Sequence, residues 1–399
     1  MKGMLRPVGS RVPIPHTGTK LHLPWENNYH TWYMGSGTQA LAAAVALAIS
    51  RSNLDGATPE VILPAYGCPD LIAAVMSQGA RPVLVDLLPD CPFMDTEKVS
   101  QALSDATVAV IAVGFLGVPE RVSLLASICR DRGAWLIEDS AQCFPPDCAR
   151  EPVADCAVLS FGRGKPINLM GGGALLVRGD HNATAEDLLL SLPEGEVKVD
   201  WQWKARRHIF NFLLGRLGYG LLRRIPFLGL GTTVYRPLDS IRRIRLPAGL
   251  VEAGIAGAEQ RPASVTTYGQ ELEFLAQCGW KLFMSNKASG GNGAGQVTLR
   301  YGVLAPHREV RDKAIEALNH QGIGANAFYG RILPDIDGVP GVLVSSSDRY
   351  PNANTFADRL ITLPSHEDVT VHDILGIAAT LRAVGTEPDA PKKPTQGPA

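Results

Sequence analysis

From Gly35 to Val177 short apolar runs, many of them β-branched, alternate with stretches in which apolar positions recur every three to four residues. The runs Val61–Leu63, Val83–Val85, Val108–Val113, Trp135–Ile137, Ala157–Leu159 and Ala174–Val177 have the length of strands buried on both faces. The intervening stretches Thr38–Ile49, Cys68–Gln78 and Arg121–Arg132 carry helical periodicity, and Gly133 supplies a residue that readily takes the left-handed conformation ending a helix. This alternation predicts an α/β fold, a mainly parallel, doubly wound sheet joined by right-handed crossovers.

After Val177 the rhythm breaks. Residues 188–270 read as a helical, irregular connector rich in Arg, Trp and Leu. A second pattern then begins, with a strand at Val297–Leu304, a helix at Arg308–His320 closed by Gly322, and an amphipathic helix at Asp368–Val384. The expected organisation is a large α/β domain over 1–187, whose first 34 residues form an N-terminal arm, then the connector, then a smaller α+β domain over 271–386. The tail 387–399 has four prolines and almost no large apolar side chain, a composition that cannot order itself.

Composition narrows the function. Thirty-eight Lys and Arg against 39 Asp and Glu leave a net charge of −1, so no basic field exists to hold a nucleic-acid backbone. The 7 cysteines are scattered singly and are odd in number, which favours reduced thiols in a cytoplasm. The N-terminus lacks the apolar run of an export signal, and no stretch reaches the length of a membrane span. Between 201 and 230, however, Trp, Phe and Leu interleave with Lys204, Arg206, Arg207, Arg216, Arg223 and Arg224. That composition suits either an anionic membrane surface, with a lipid-linked substrate, or an interdomain or dimer contact in which Arg stems pack on apolar neighbours. The histidines show no metal-ligand spacing, and no metal is expected.

Three segments carry candidate chemistry. Gly35-Ser36-Gly37-Thr38 precedes an Ala-rich helix and puts small residues at a helix start, which suits either a phosphate or an ordinary cap. Glu138-Asp139 follows a buried strand at the edge where open α/β sheets bind ligands, although an Asp there also caps helices. Ser160 through Lys165 ends the next strand and delivers an amine to the same edge, although most lysines are merely solvated. Jointly, in this order within one domain, they describe pyridoxal phosphate, which needs an anion cradle, a carboxylate for its ring nitrogen and an amine for its aldehyde.

Here the chain resembles the DegT/DnrJ/EryC1/StrS sugar aminotransferases, fold-type-I pyridoxal-phosphate enzymes. The matching segments are Ser36–Leu41, Val61–Tyr66, Gly79–Asp86, Ile137–Gln142, Ser160-Phe161 leading to Lys165, and Gly172–Ala174. In the second region Ala314–Ile323 and Ala357–Pro364 look like the family's closing motifs. The resemblance implies that Lys165 forms the Schiff base with the cofactor, Asp139 pairs with the pyridine nitrogen and Gln142 contacts the ring face or the phenolic oxygen. It further implies that Ser160, Gly37 and Thr38 bind the phosphate and that Tyr66 stacks on the ring, with Cys68 as the alternative. Arg163 and Tyr329 are candidates for substrate contact. The implied activity is ping-pong transfer of an amino group from glutamate or glutamine to a keto sugar, expected to be nucleotide-linked, by a homodimer. A dehydratase of the same fold is disfavoured by Lys165, since the family's dehydratases carry His there, and a cofactor-binding regulator without turnover is the alternative from another class. Four features depart from the family: Gly114-Phe115-Leu116-Gly117 replaces a His-Leu-Tyr-Gly run, Met170 precedes Gly171-Gly172-Gly173 where Gly-Glu-Gly-Gly is usual, no Asn/Arg segment of the kind supplied across the dimer is recognisable between Ile244 and Gln260, and the region before Gly35 is shorter than usual.

Overall fold

The computed structural model describes residues 3–15, 22–224, 232–261, 264–284, 297–343 and 349–385. The tail 387–399 and the end of the basic, aromatic segment, 225–230, lie outside the described residues. One large sheet is built from β1 (Tyr29–Met34), β2 (Glu60–Pro64), β3 (Arg81–Val85), β4 (Thr107–Val113), β5 (Trp135–Asp139), β6 (Cys156–Ser160), β7 (Gly173–Arg178), β8 (Glu194–Glu196) and β9 (Arg243–Arg245). Their spatial order is β3-β2-β4-β5-β6-β7-β1-β9-β8. Strands β2 to β6 run parallel, and β7 is antiparallel to both neighbours, β6 and β1.

All six strands expected from apolar runs are present. Every residue of β2 and β4 is buried, the signature of strands covered on both faces. Side chains alternate: Val61 and Leu63 join the core beneath α1 (Gly37–Arg51) and α2 (Asp70–Met76), whereas Ile62 joins the core beneath α3 (Thr96–Ala102) and α4 (Val122–Arg130). Helix α4 buries Val122, Leu125, Ala126 and Cys129, one stripe at helical spacing, and Gly133 at φ 69° stops it. Helix α1 is buried along nearly its whole length, with its alanines permitting close approach to the sheet.

Beyond α5 (Asn182–Leu190) come α6 (Trp201–Leu214), α7 (Arg216–Leu222), α8 (Leu250–Glu259) and α9 (Ser264–Glu271). The segment expected to be helical and irregular also adds β8 and β9 to the sheet's edge. A two-stranded antiparallel sheet, β10 (Arg300–Leu304) with β11 (Leu360–Pro364), is packed by α10 (Arg308–His320), α11 (Pro351–Arg359) and α12 (Val371–Gly385). Strand β1 was hidden in the sequence because Tyr29–Met34 carries no continuous apolar run and buries only its two ends, Tyr29 and Met34; its ladder with β7 places it.

The N-terminal arm is a strap. Leu5 N donates to Gly322 O at 2.8 Å, Ser10 Oγ to Lys165 O at 3.1 Å, and Val12 N to Asn211 Oδ1 at 2.9 Å. The arm thus ties the small sheet's surroundings, the Lys165 loop and α6 together. Its buried anchor is Arg6, which donates to Gly9 O, Leu214 O and Glu367 and pairs with Asp368.

Candidate active site

Four segments converge on one edge of the sheet because their strands end there. Val113, Asp139 and Ser160 are the last residues of β4, β5 and β6, and Val113 is the ladder partner of Asp139. Helix α1 starts at Gly37, three residues after β1 ends, so its N-terminus arrives at the same edge. This is the carboxyl edge at which open α/β sheets bind ligands. The resulting cavity is lined by Gly37, Thr38, Cys68, Asp70, Val113, Gly114, Asp139, Gln142, Ser160 and Lys165, with Leu41, Leu71 and Ala141 supplying apolar surface.

At the anion end, Ser36 caps α1 by accepting from Gln39 N at 3.1 Å, which leaves the earlier N–H groups of the first turn without intrahelical acceptors. A Cβ on Gly37 would stand 2.6 Å from Ser160 Cβ and 2.8 Å from its Oγ. Glycine is therefore required for the helix start to meet the Ser160 hydroxyl. Thr38 Oγ1 donates to Asp70 Oδ2 at 2.8 Å.

At the other end, Asp139 is buried and its Oδ1 accepts from Ala141 N at 2.9 Å. Burial pushes this carboxyl above its ordinary range, opposed by that N–H and by the Lys165 ammonium. A cationic ring nitrogen supplies the partner such a buried carboxylate wants. Adjacent Glu138 points to the opposite face, where it accepts from Asp147 N at 2.6 Å and Cys148 N at 2.8 Å; burial pushes it up to about 7. The two carboxylates of the pair thus have separate roles, Glu138 holding the following turn.

The Lys165 loop is held from several sides. Phe161 N donates to Gly172 O and Leu169 N to Phe161 O, both at 2.9 Å. Buried Asn168 accepts from Met170 N at 3.0 Å and donates to Ser10 O at 2.7 Å. Among the described residues the Lys165 amine makes no ion pair. An anion cradle, a buried carboxylate and a free amine in one cavity fit pyridoxal phosphate.

Of the residues expected from the sequence, Gly37, Thr38, Asp139, Gln142, Ser160 and Lys165 line the cavity together. Tyr66 does not. Its ring is buried in an aromatic cluster, with centroids 5.3 to 5.6 Å from Phe356, Phe115 and Tyr329, and Cys68 occupies the cavity wall instead. Burial pushes the Cys68 thiol up to about 12, so the wall it presents is neutral. Arg163 is exposed and its guanidinium lies over the Phe210 ring of α6, 5.6 Å from the centroid, rather than in the cavity. Tyr329 is brought to the site indirectly, its hydroxyl accepting from Gln142 Nε2 at 3.2 Å. Asp70 was missed; its signal is only an acid in the first turn of α2.

The model of the DegT/DnrJ/EryC1/StrS aminotransferase family matches residues 26–214 and 257–382. Among curated relatives, a dTDP-4-dehydro-2,3,6-trideoxy-D-glucose 4-aminotransferase of Saccharopolyspora spinosa is 36% identical over 110 residues, 27% of each chain. A UDP-N-acetyl-3-dehydro-alpha-D-glucosamine 3-aminotransferase of Acidithiobacillus ferrooxidans is 30% identical over 148 residues, 36% of this chain and 39% of its own. The aligned part thus spans well under half the length of these relatives. Solved structures share the fold across nearly the whole chain. A sugar aminotransferase of Streptococcus pneumoniae in its PMP form superposes with a TM-score of 0.62 at 18% identity, covering 90% of this chain and 89% of its own. DesV of S. venezuelae gives 0.62 at 20% identity, covering 94% and 92%. The cofactor cradle lies inside the first matched segment, and the chain belongs to the DegT/DnrJ/EryC1/StrS aminotransferase family.

Proposed function

We propose that this protein is a pyridoxal-phosphate-dependent aminotransferase that moves an amino group from glutamate or glutamine to a keto sugar carried on a nucleotide, in two alternating half-reactions, as a homodimer in the cytoplasm. The observation that carries this reading is the placement of Lys165 and Asp139 in one cavity with Gly37, Thr38 and Ser160. The relatives named as nucleotide-sugar aminotransferases support the substrate class.

When bound, the cofactor supplies an aldehyde for amine exchange and a cationic ring that accepts electron density. Ser160, Thr38 and the first turn of α1 hold its phosphate. Asp139 holds the ring nitrogen protonated, and its burial keeps that interaction strong. Lys165 Nζ would carry the proton between the substrate carbon and the cofactor, acting first as base and then as acid within each half-reaction. Gln142, held by its bond to Tyr329, would contact the ring face or the phenolic oxygen of the cofactor.

The test is to incubate the purified protein with glutamate or glutamine and a panel of keto sugars, free, nucleotide-linked and lipid-linked. Amine transfer to a nucleotide-linked ketone supports the reading. Cofactor binding with no donor-dependent change in absorption sinks it.

The face of α6 and α7 supports a second element, contact with an anionic membrane. Trp201, Ile209, Phe212, Leu217 and Leu221 are exposed, Trp201 at 75%, beside exposed Lys204, Arg206, Arg223 and Arg224. No acidic residue occurs between Asp200 and Asp239. Trp203 packs inward, so the apolar residues of α6 divide between the core and this outer face. Among the described residues no helix is long and apolar enough to cross a membrane, so any contact is made from the surface.

A further inference from the structure

Arg300 opens β10 with a half-buried guanidinium that faces no carboxylate among the described residues. Its Nη1 donates to Asn326 Oδ1 at 3.1 Å and Thr362 Oγ1 at 3.0 Å, and the group lies over the Phe328 ring, 4.7 Å from the centroid. Its other neighbours are the phenols of Tyr329, Tyr219 and Tyr66, and burial pulls its pKa down to about 10. A cation so placed, without a counter-ion, carries a desolvation cost that the fold itself does not offset.

The surroundings hold Arg300 in one orientation. Asn326 Oδ1 also accepts from Thr362 Oγ1 at 2.7 Å and from Phe328 N at 3.0 Å. Phe328 sits at φ 59°, a strained conformation for an aromatic residue that its N–H bond to Asn326 helps to hold, with its ring beneath the guanidinium. The next residue, Tyr329, is bonded to Gln142 of the cofactor cavity. With Nη1 committed, the Nε and Nη2 edge of Arg300 is left for a ligand, and that edge matches two oxygens of one anionic group.

We propose that Arg300 is a substrate-binding residue that receives an anionic group, either the carboxylate of the amino donor or the diphosphate of a nucleotide sugar. The assignment rests on the reading of the Asp139–Lys165 cavity as the place of substrate chemistry.

The test uses the intact chain as wild type, Arg300→Met and Arg300→Lys, each compared by thermal melting to establish folding. Glutarate and inorganic pyrophosphate serve as probes and are titrated calorimetrically with and without pyridoxal phosphate. In parallel, the donor dependence and the keto-sugar dependence of the two half-reactions are read separately. Loss of about 10- to 100-fold in glutarate affinity and in apparent donor affinity for the Met variant, partly restored in the Lys variant, assigns the donor carboxylate. The same loss confined to pyrophosphate and the nucleotide-sugar half-reaction assigns the diphosphate. Folded Met protein that binds both probes like the wild type overturns the proposal. Probe binding is read without turnover, so absence of amine transfer in the wild type would count against the proposed function and leave this result standing on its own.

Discussion

At the scale of single residues, Asp139 and Gly37 have distinct tasks that substitution can separate. Asp139→Asn keeps an acceptor for Ala141 N but removes the negative charge, so the protein should fold and bind cofactor while turnover falls about 100- to 1,000-fold. Turnover within a few-fold of wild type would mean the carboxylate does not hold the ring charge. Gly37→Ala drives a methyl group into Ser160, 2.6 Å from its Cβ. Cofactor affinity measured by equilibrium dialysis should weaken at least about tenfold, the loss expected when a charged hydrogen bond is displaced. Residue identity was legible in the sequence wherever a strand end fixed position: Asp139 and Ser160 terminate β5 and β6, so their placement followed from the apolar runs. In the loop after β2 no periodicity decides which side chain turns inward. Tyr66 joined the aromatic cluster with Phe115, Tyr329 and Phe356, and Cys68 faced the cavity.

At the scale of elements, the arm is the feature whose contacts no local pattern announces. Arg6, 1% exposed, satisfies two backbone carbonyls and two carboxylates that lie more than 350 residues away in the chain. Arg6→Met takes the donor from the Gly9 and Leu214 carbonyls and leaves the two carboxylates to Arg11 and Arg261, and urea unfolding should show a loss of about 2 kcal/mol; no change would mean the cluster is ornamental. Beside it His366 donates from Nε2 to Arg6 O at 2.9 Å and is buried in its neutral form; burial, then Arg6, pulls its pKa down to about 3. Below pH 6.5 the unfolded chain takes up a proton that the folded chain refuses. The stability this residue contributes is therefore full above about 6.5 and is lost as pH falls toward 3. Melting temperatures of wild type and His366→Gln between pH 7 and 4 should converge as pH drops; parallel curves would contradict the assignment. Strands β8 and β9 illustrate the same limit on legibility, because three-residue strands are placed by the sheet they join rather than by their own composition.

At the scale of the whole molecule, the parallel sheet and its flanking helices were readable because burial on both faces demands continuous apolar runs, and those runs are long enough to distinguish. The cavity was readable as a set of residue types but not as a shape, since it gathers side chains from positions 37 to 165. The outer face of α6 and α7 is a property of the assembled surface, and it predicts that the protein cosediments with phosphatidylglycerol vesicles at low salt and less well with neutral phosphatidylcholine. Replacing Trp201, Ile209 and Phe212 together with serine should abolish cosedimentation while leaving turnover of a soluble substrate intact. Binding that is absent for wild type, or unchanged in the triple variant, would remove the membrane from the account. The claim on which everything else depends is the amine at position 165. Borohydride reduction of the cofactor-loaded protein, followed by proteolysis and mass spectrometry, should place the cofactor's mass on the peptide containing Lys165 and nowhere else. Cofactor mass on a different lysine, or on none in a protein that has bound it, would contradict the account.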